Sequence, residues 1–346
     1  SYYANTSITS RTGIATNDTL ESIMLDKDLM TKYYSVPLAS LFDTNDCHIR
    51  LTSAQDTGIS IENILDRIRN NERLGDLCHI NQGVVSGCDF VSRKESLKFK
   101  NLHQDDGIFV FDMLNERDIQ KIVTFNDNGR ELLRPFYKNS DISRYWSKNN
   151  PDKLLLYFKG KLDDERYPKV LEHLKAFRPI LEERLVRYEE KYHWTSLHRS
   201  RDETIFTSPK IVVPYRSLTN TFAYNCIEWF CRSDCYVITQ KDSSLSLKYL
   251  LALLNSKLYY IWLYYRGKRK GNTLELFNTP LSAIPIKQIS SSDQNEFINL
   301  VDEIMRRKTE NPNSNTSEIE HKIDRLVYDL YCLTEEEIRL VEQFHV

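Results

Sequence analysis

Glycine is scarce in this chain, ten residues in 346, and none stand at the spacing of a phosphate-binding loop. Such a loop needs close glycines after a strand, so that backbone N–H groups reach the phosphates. Gly83 and Gly87 come nearest, but they lack both that spacing and a following helix. No G-x-S-x-G elbow and no H-E-x-x-H pair occurs. These absences exclude the common locally encoded nucleotide, serine-hydrolase and zinc-protease sites. Excess charge is missing too: 47 lysines and arginines face 49 acids, a net charge of −2. A nucleic-acid binder commonly carries an overall basic balance, so any phosphate-seeking charge here must be local.

Long apolar runs are absent as well. The most apolar stretch, 247–265, is interrupted by Asn255, Ser256 and Lys257. It is a poor membrane span, and a buried helix is expected. The opening Ser1-Tyr2-Tyr3-Ala4-Asn5 shows no charged-then-apolar leader pattern. Seven cysteines, an odd number, suit reduced thiols and a cytoplasmic location. Cys226, Cys231 and Cys235 match no common zinc spacing. They are expected to be small strand residues, with no metal.

What is present falls into three parts. Residues 1–60 are polar and read as irregular, a linker or the tail of an upstream domain. Residues 61–245 are strand-rich after a short helix with Ile61, Ile64, Leu65 and Ile68 on one face. Strands are expected in "GIFVFDM", "DKLLLYFK", "SPKIVVPYR", "TFAYNCIEWF" and "DCYVITQ". A helical block interrupts them, with Pro168 in a first turn and Pro179 restarting the helix. Residues 246–346 are helical, with Ser317/Glu320 and Thr334/Glu337 as capping-box signals for the last two helices. The expected class is α+β.

Two segments carry binding chemistry. Arg266, Lys268, Arg269 and Lys270 put four cations and a glycine in five residues. A helix C-terminus favours cations, but four exceed that need, and the expectation is a loop gripping a phosphate chain. The second, "RYEEKYHWTSLHRSRDETIF" (187–206), interleaves residue types that read base edges, stack and hold phosphates. Trp194, His198, Arg199 and Arg201 stand out there, with Arg216 just past the Lys210 strand. The bland alternative makes these arginines surface ion-pair partners and Trp194 a core anchor. Asp202, Glu203 and Lys210 are a faint nuclease pattern, with a solvated turn as the alternative.

Together, "KIVVPYRSLTNTFAYN", "LLALLNSKLYYIWLYYRGKRKGNTLELFNTPLSAIPIKQI" and "LGDLCHINQGVVSGCDF" resemble the TaqI-like C-terminal specificity domain. "LLRPFYKNSDISRYW" and "KIDRLVYDLYCLTEEEI" extend the resemblance over about residues 60–346. That domain is the target-recognition part of type IIG restriction–modification enzymes and adenine-N6 DNA methyltransferases. The resemblance implies a reader of double-stranded DNA across a cleft from a methyltransferase domain, which flips out an adenine. It places the backbone contacts at Arg266, Lys268, Arg269 and Lys270. The base-reading candidates are Trp194, His198, Arg199, Arg201 and Arg216, with Gln82 and Ser86 of the 82–89 loop as the readers if those arginines are silent.

No catalytic residue is expected in this chain. The Asn-Pro-Pro-Tyr motif that holds the flipped adenine is absent, as is the glycine-rich cofactor motif. S-adenosylmethionine, and magnesium for any cleavage, would belong to the parent enzyme. The expected partners are DNA and a methyltransferase domain in cis or in trans, with no membrane. "LLALLNSKL…IPI" also resembles type I specificity subunits, so a stand-alone subunit docking a separate methyltransferase is the alternative.

Overall fold

Ile61–Arg69 is a helix, as its apolar spacing requires, and Ile64, Leu65 and Ile68 are buried. The computed structural model describes residues 60–188, 192–241 and 245–344, together with the backbone of four short strands before them. Residues up to Ile64 form one unit and Leu65–Val346 a second. In the first unit, Ser7–Arg11 pairs antiparallel with Tyr33–Pro37, and Phe42–Asp43 with His48–Ile49. The reading of 1–60 as irregular is corrected to that extent. The rest of that stretch lies outside the described residues.

The second unit combines helices with several sheets, and the chain is α+β. One four-stranded sheet runs Ala223–Asn225, Lys210–Pro214, Cys235–Gln240, Cys78–Gln82, all antiparallel. Its centre is β-branched: Ile211 faces Ile238 and Val212 faces Val237. Those four side chains are fully buried, which suits their stiff χ1 rotamers. A second sheet runs Phe230–Cys231, Leu133–Tyr137, Lys153–Leu156, Val110–Asp112. Its Leu133–Tyr137 strand was not anticipated, because Pro135 and flanking charges hide the pattern. One apolar cluster joins the two sheets and the helices Pro168–Ala176 and Arg178–Tyr188. Trp229 stands in that cluster, stacked on Tyr137 at 4.6 Å, its indole N–H donating to the Lys148 carbonyl.

The apolar stretch after 245 is two helices, Leu247–Asn255 and Lys257–Arg266, not one. The break is chemical. Ser256 leaves helical backbone (φ −68°, ψ 158°), and its hydroxyl accepts from the Tyr259 N–H. Asn255 turns its amide onto both backbone groups of Phe222. The Thr334/Glu337 capping box forms. The expected Ser317/Glu320 box does not. Thr316 takes the N-cap position without a side-chain cap bond, its hydroxyl donating instead to Glu320, which also receives Arg144. No helix among the described residues is long and apolar enough to cross a membrane.

Burial also sets an acid limit on stability. His173 sits among Phe111, Phe125 and Phe177 with Nε2 on the Ile108 carbonyl. Burial pushes its pKa down from 6.5 to about 4. The unfolded chain therefore binds this proton first, and the His173 contribution is lost as pH falls from 6.5 toward 4. Asp324, raised by burial to about 6, acts in the opposite sense. A His173→Gln variant keeps an N–H for Ile108 and should lose less stability than the parent between pH 7 and pH 5. Urea titrations of both chains at the two pH values check this.

Candidate nucleic-acid interface

The 82–89 loop and the 192–201 segment, distant in sequence, lie side by side. The Val85 N–H donates to the Arg199 carbonyl (3.0 Å) and the Arg199 N–H to that of Val85 (2.8 Å). The His198 N–H donates to Ser86. The loop is seated from below by Gly83 and Val84, which donate to Cys235 and Cys231. A Cβ on Gly83 would stand 2.2 Å from the Arg232 carbonyl oxygen, so only glycine permits this approach.

Arg184, on the Arg178–Tyr188 helix, locks the two segments together. It is 1% exposed. Its Nη1 donates to the Ser86 carbonyl (2.7 Å), and its Nη2 to Trp194 (3.1 Å) and Ser196 (2.8 Å). Its guanidinium also lies over Phe109 and Tyr192. Nothing in "ILEERLVRY" distinguishes this arginine from a solvated one, and the sequence reading missed it.

The structure divides the base-reading candidates. Arg199 is exposed while its backbone is held by the ladder. Among the described residues its guanidinium makes no hydrogen bond or ion pair. Arg201 takes a left-handed backbone (φ 70°), and its guanidinium donates to Gln82 Oε1 (3.0 Å) and the Gly83 carbonyl. Gln82 in turn donates to Ser233, so both ends of its amide are engaged. His198 Nδ1 meets the Tyr192 hydroxyl at 3.2 Å. Two candidates sit inside the loop structure and not on its face. Ser86 is 5% exposed with its hydroxyl on Asp89. Trp194 packs on the core beneath the Arg178 guanidinium, which is the anchor alternative.

The basic loop is in fact a hairpin. Gly267 ends the Lys257–Arg266 helix, Lys268–Lys270 and Thr273–Glu275 pair antiparallel, and Arg216–Ser217 adds a third strand. Its cations are not equivalent. Arg266 is half-buried at the helix end. Arg269 lies 3.8 Å over the Tyr264 ring. Lys268, Arg269 and Lys270 are all exposed. Arg216 is forked onto the buried Glu275 at 3.0 and 2.7 Å, with Lys268 Nζ 3.7 Å from the same carboxylate. The Arg216 hydrogen bond holds the Glu275 carboxyl below its ordinary range. Ion pairing was the alternative for Arg216, but the acid is Glu275 and not one of those near in sequence. A row of rings joins the hairpin to the loop. Phe277 and Tyr215 are 6.0 Å apart, Tyr215 and Tyr236 are 6.4 Å apart, and Tyr236 is opposite Gln82 in the sheet.

The nuclease pattern disperses. Asp202 pairs with Lys159 and accepts from the Thr204 N–H, Glu203 pairs with Arg134, and Lys210 Nζ donates to the carbonyls of Ser208 and Ile227. Burial lowers the Lys210 pKa to about 8. Among the described residues no three His, Cys, Asp or Glu side chains are grouped to hold a metal.

Residues 134–286, a little under half of the chain, match the family described as the TaqI-like C-terminal specificity domain. The type II methyltransferase M.HindII of Haemophilus influenzae is 26% identical over 227 residues, 63% of this chain and 39% of that protein. The type II methyltransferase M.HincII, also from Haemophilus influenzae, is 28% identical over 149 residues, 41% of this chain and 28% of that one. The chain thus spans about two fifths or less of the length of these curated relatives. Among solved structures, the type IIL restriction-modification enzyme MmeI in complex with DNA shares the fold. The TM-score is 0.55 at 14% identity, over 85% of this chain and 37% of that one.

Proposed function

We propose, from the match of residues 134–286 to the TaqI-like C-terminal specificity domain, that this chain is the reader of double-stranded DNA sequence in a restriction–modification system. Its partner in this reading is an adenine-N6 methyltransferase domain, in cis or in trans, which supplies S-adenosylmethionine and the chemistry. The observation that carries the reading is Arg199: an exposed guanidinium on a backbone locked to the 82–89 loop, with a row of aromatic rings running from the basic hairpin to the strand that leads into that loop. Arginine can bond guanine at two edge atoms, and rigid placement makes that contact selective. Arg201 serves differently, by orienting Gln82.

Arg199→Ala should erase preference at one position of the site, at a cost of about 1–3 kcal/mol there, and leave other positions intact. Selection of bound duplexes from a random pool, with the methyltransferase domain present, reads this out. Equal loss at every position would move base readout away from Arg199.

The exposed cations of the hairpin act on phosphates. Lys268→Ala with Lys270→Ala should weaken binding about equally for all sequences and reduce the slope of log affinity against log salt by roughly two units. Salt titrations of two unrelated duplexes test it. An unchanged slope would leave Lys268 and Lys270 no phosphate contact.

A further inference from the structure

Beside the hairpin lies a cavity of about 530 Å³, within the range of small-ligand sites. Tyr260 and Phe344 supply aromatic walls, Asp324 and Asn272 polar edges, and Leu218 a rim. The floor is closed to anions, because its cations are occupied. Arg144 donates through Nε and Nη2 to Glu320, through Nη1 to Asn220, and through Nη2 to the Asn255 carbonyl. Lys257 Nζ donates to the Phe344 carbonyl. What remains open is acceptor chemistry. Asp324 Oδ1 takes the Lys257 N–H at 2.7 Å, and Oδ2 has no hydrogen-bond partner among the described residues. The Asn272 amide is exposed at the hairpin turn, likewise without a partner among the described residues. The cavity therefore suits a flat, donor-bearing ring that stacks on Tyr260 and gives an amine hydrogen to a carboxylate.

We propose that this cavity receives one extrahelical DNA base carrying an exocyclic amine, in preference to thymine, which alone lacks one. The inference rests on the DNA-reading function above and adds a subsite to it. The location selects a base over a free small molecule. Asn272 is two residues from the exposed Lys270, within about 7 Å along the chain. Leu218 lies two residues past Arg216, just beyond the end of the Arg216–Ser217 strand of the same small sheet. Cations on that sheet hold the phosphate chain while the base turns into the cavity. Leu218, 66% exposed, stands at the mouth where an apolar side chain can fill the vacated step. Asp324 accepts the amine, as carboxylates do from cytosine N4. The unstacking cost of such a base is a few kcal/mol, and it is lowest when the base is already unpaired.

The test uses this chain with four duplexes of one sequence: fully paired, or with a single bulged cytosine, adenine or thymine. The expected result is at least tenfold tighter binding of the cytosine and adenine bulges than of the paired duplex, with little gain for thymine. Asp324→Asn, which keeps an acceptor for the Lys257 N–H, should lose the discrimination between cytosine and thymine. Asn272→Ala, on an exposed turn, should reduce the gain without affecting folding. Equal affinity for paired and bulged duplexes overturns the subsite while leaving the DNA-reading function standing. Discrimination that survives in both variants also overturns it. Binding to none of the four overturns the DNA reading, and the subsite with it.

Discussion

An Arg184→Ala chain should melt roughly 10 °C below the parent. The arginine is fully buried and donates to three main-chain carbonyls, those of Ser86, Trp194 and Ser196. Hydrogen bonds from a charged donor contribute about 1.5–3 kcal/mol each, and an acceptor left buried without a donor costs about 1–3 kcal/mol. The three bonds share one side chain and do not add fully, so the expected loss is about 3–5 kcal/mol. At about 2–4 °C per kcal/mol for a unit of this size, the fall in Tm follows. Arg184→Lys should recover only part of it, because an ammonium cannot span three acceptors held by a planar fork. Below its melting temperature, the alanine variant should still bind DNA through the hairpin but with a flattened base preference, because the ladder carrying Arg199 has lost its fastener. Thermal melts and duplex selection on the three chains decide this. A Tm within 2–3 °C of the parent would show that the ladder holds without the arginine.

Gly83→Ala should be the most damaging single-methyl change in the loop, costing about 3 kcal/mol. The added carbon would meet the Arg232 and Cys231 carbonyl oxygens at 2.2 and 2.5 Å. Both oxygens belong to backbone that is itself hydrogen-bonded, Cys231 O to Val84 and the Arg232 N–H to Tyr137. Relief therefore requires sliding the loop off the Phe230–Cys231 strand, at the upper end of the usual overpacking cost. Gly160→Ala is the control. It has positive φ but no atom within 4 Å of the new Cβ, so its cost is limited to about 1–2 kcal/mol of backbone strain. Urea unfolding of both variants measures the contrast. Comparable losses would mean that the close approach at Gly83 is relieved cheaply.

Legibility in the sequence followed the range of the interaction. The helix Ile61–Arg69, the restart after Ala176 and the capping box at Thr334 were readable because they depend on residues three or four apart. The buried strands around Ile211 and Val237 were readable because short β-branched runs bounded by turns have few other uses. The single apolar helix after 245 was misread because Ser256 caps two helices at once, and that role shows only when Asn255 finds Phe222.

The candidate site divides along the same line. Composition alone determined that cations cluster at 266–270 and that arginine, histidine and tryptophan crowd 194–201. It also determined that no local nucleotide or metal motif is present. Which of those cations have partners was decided only in three dimensions. Arg269 is drawn onto Tyr264 and Arg216 onto Glu275, while Arg199 is left outward by a ladder whose partner is more than a hundred residues away. Arg184 shows the limit most plainly. Its sequence neighbours mark it as surface, and the tertiary fold buries it, because three carbonyls from two unrelated segments converge where a guanidinium can satisfy them together.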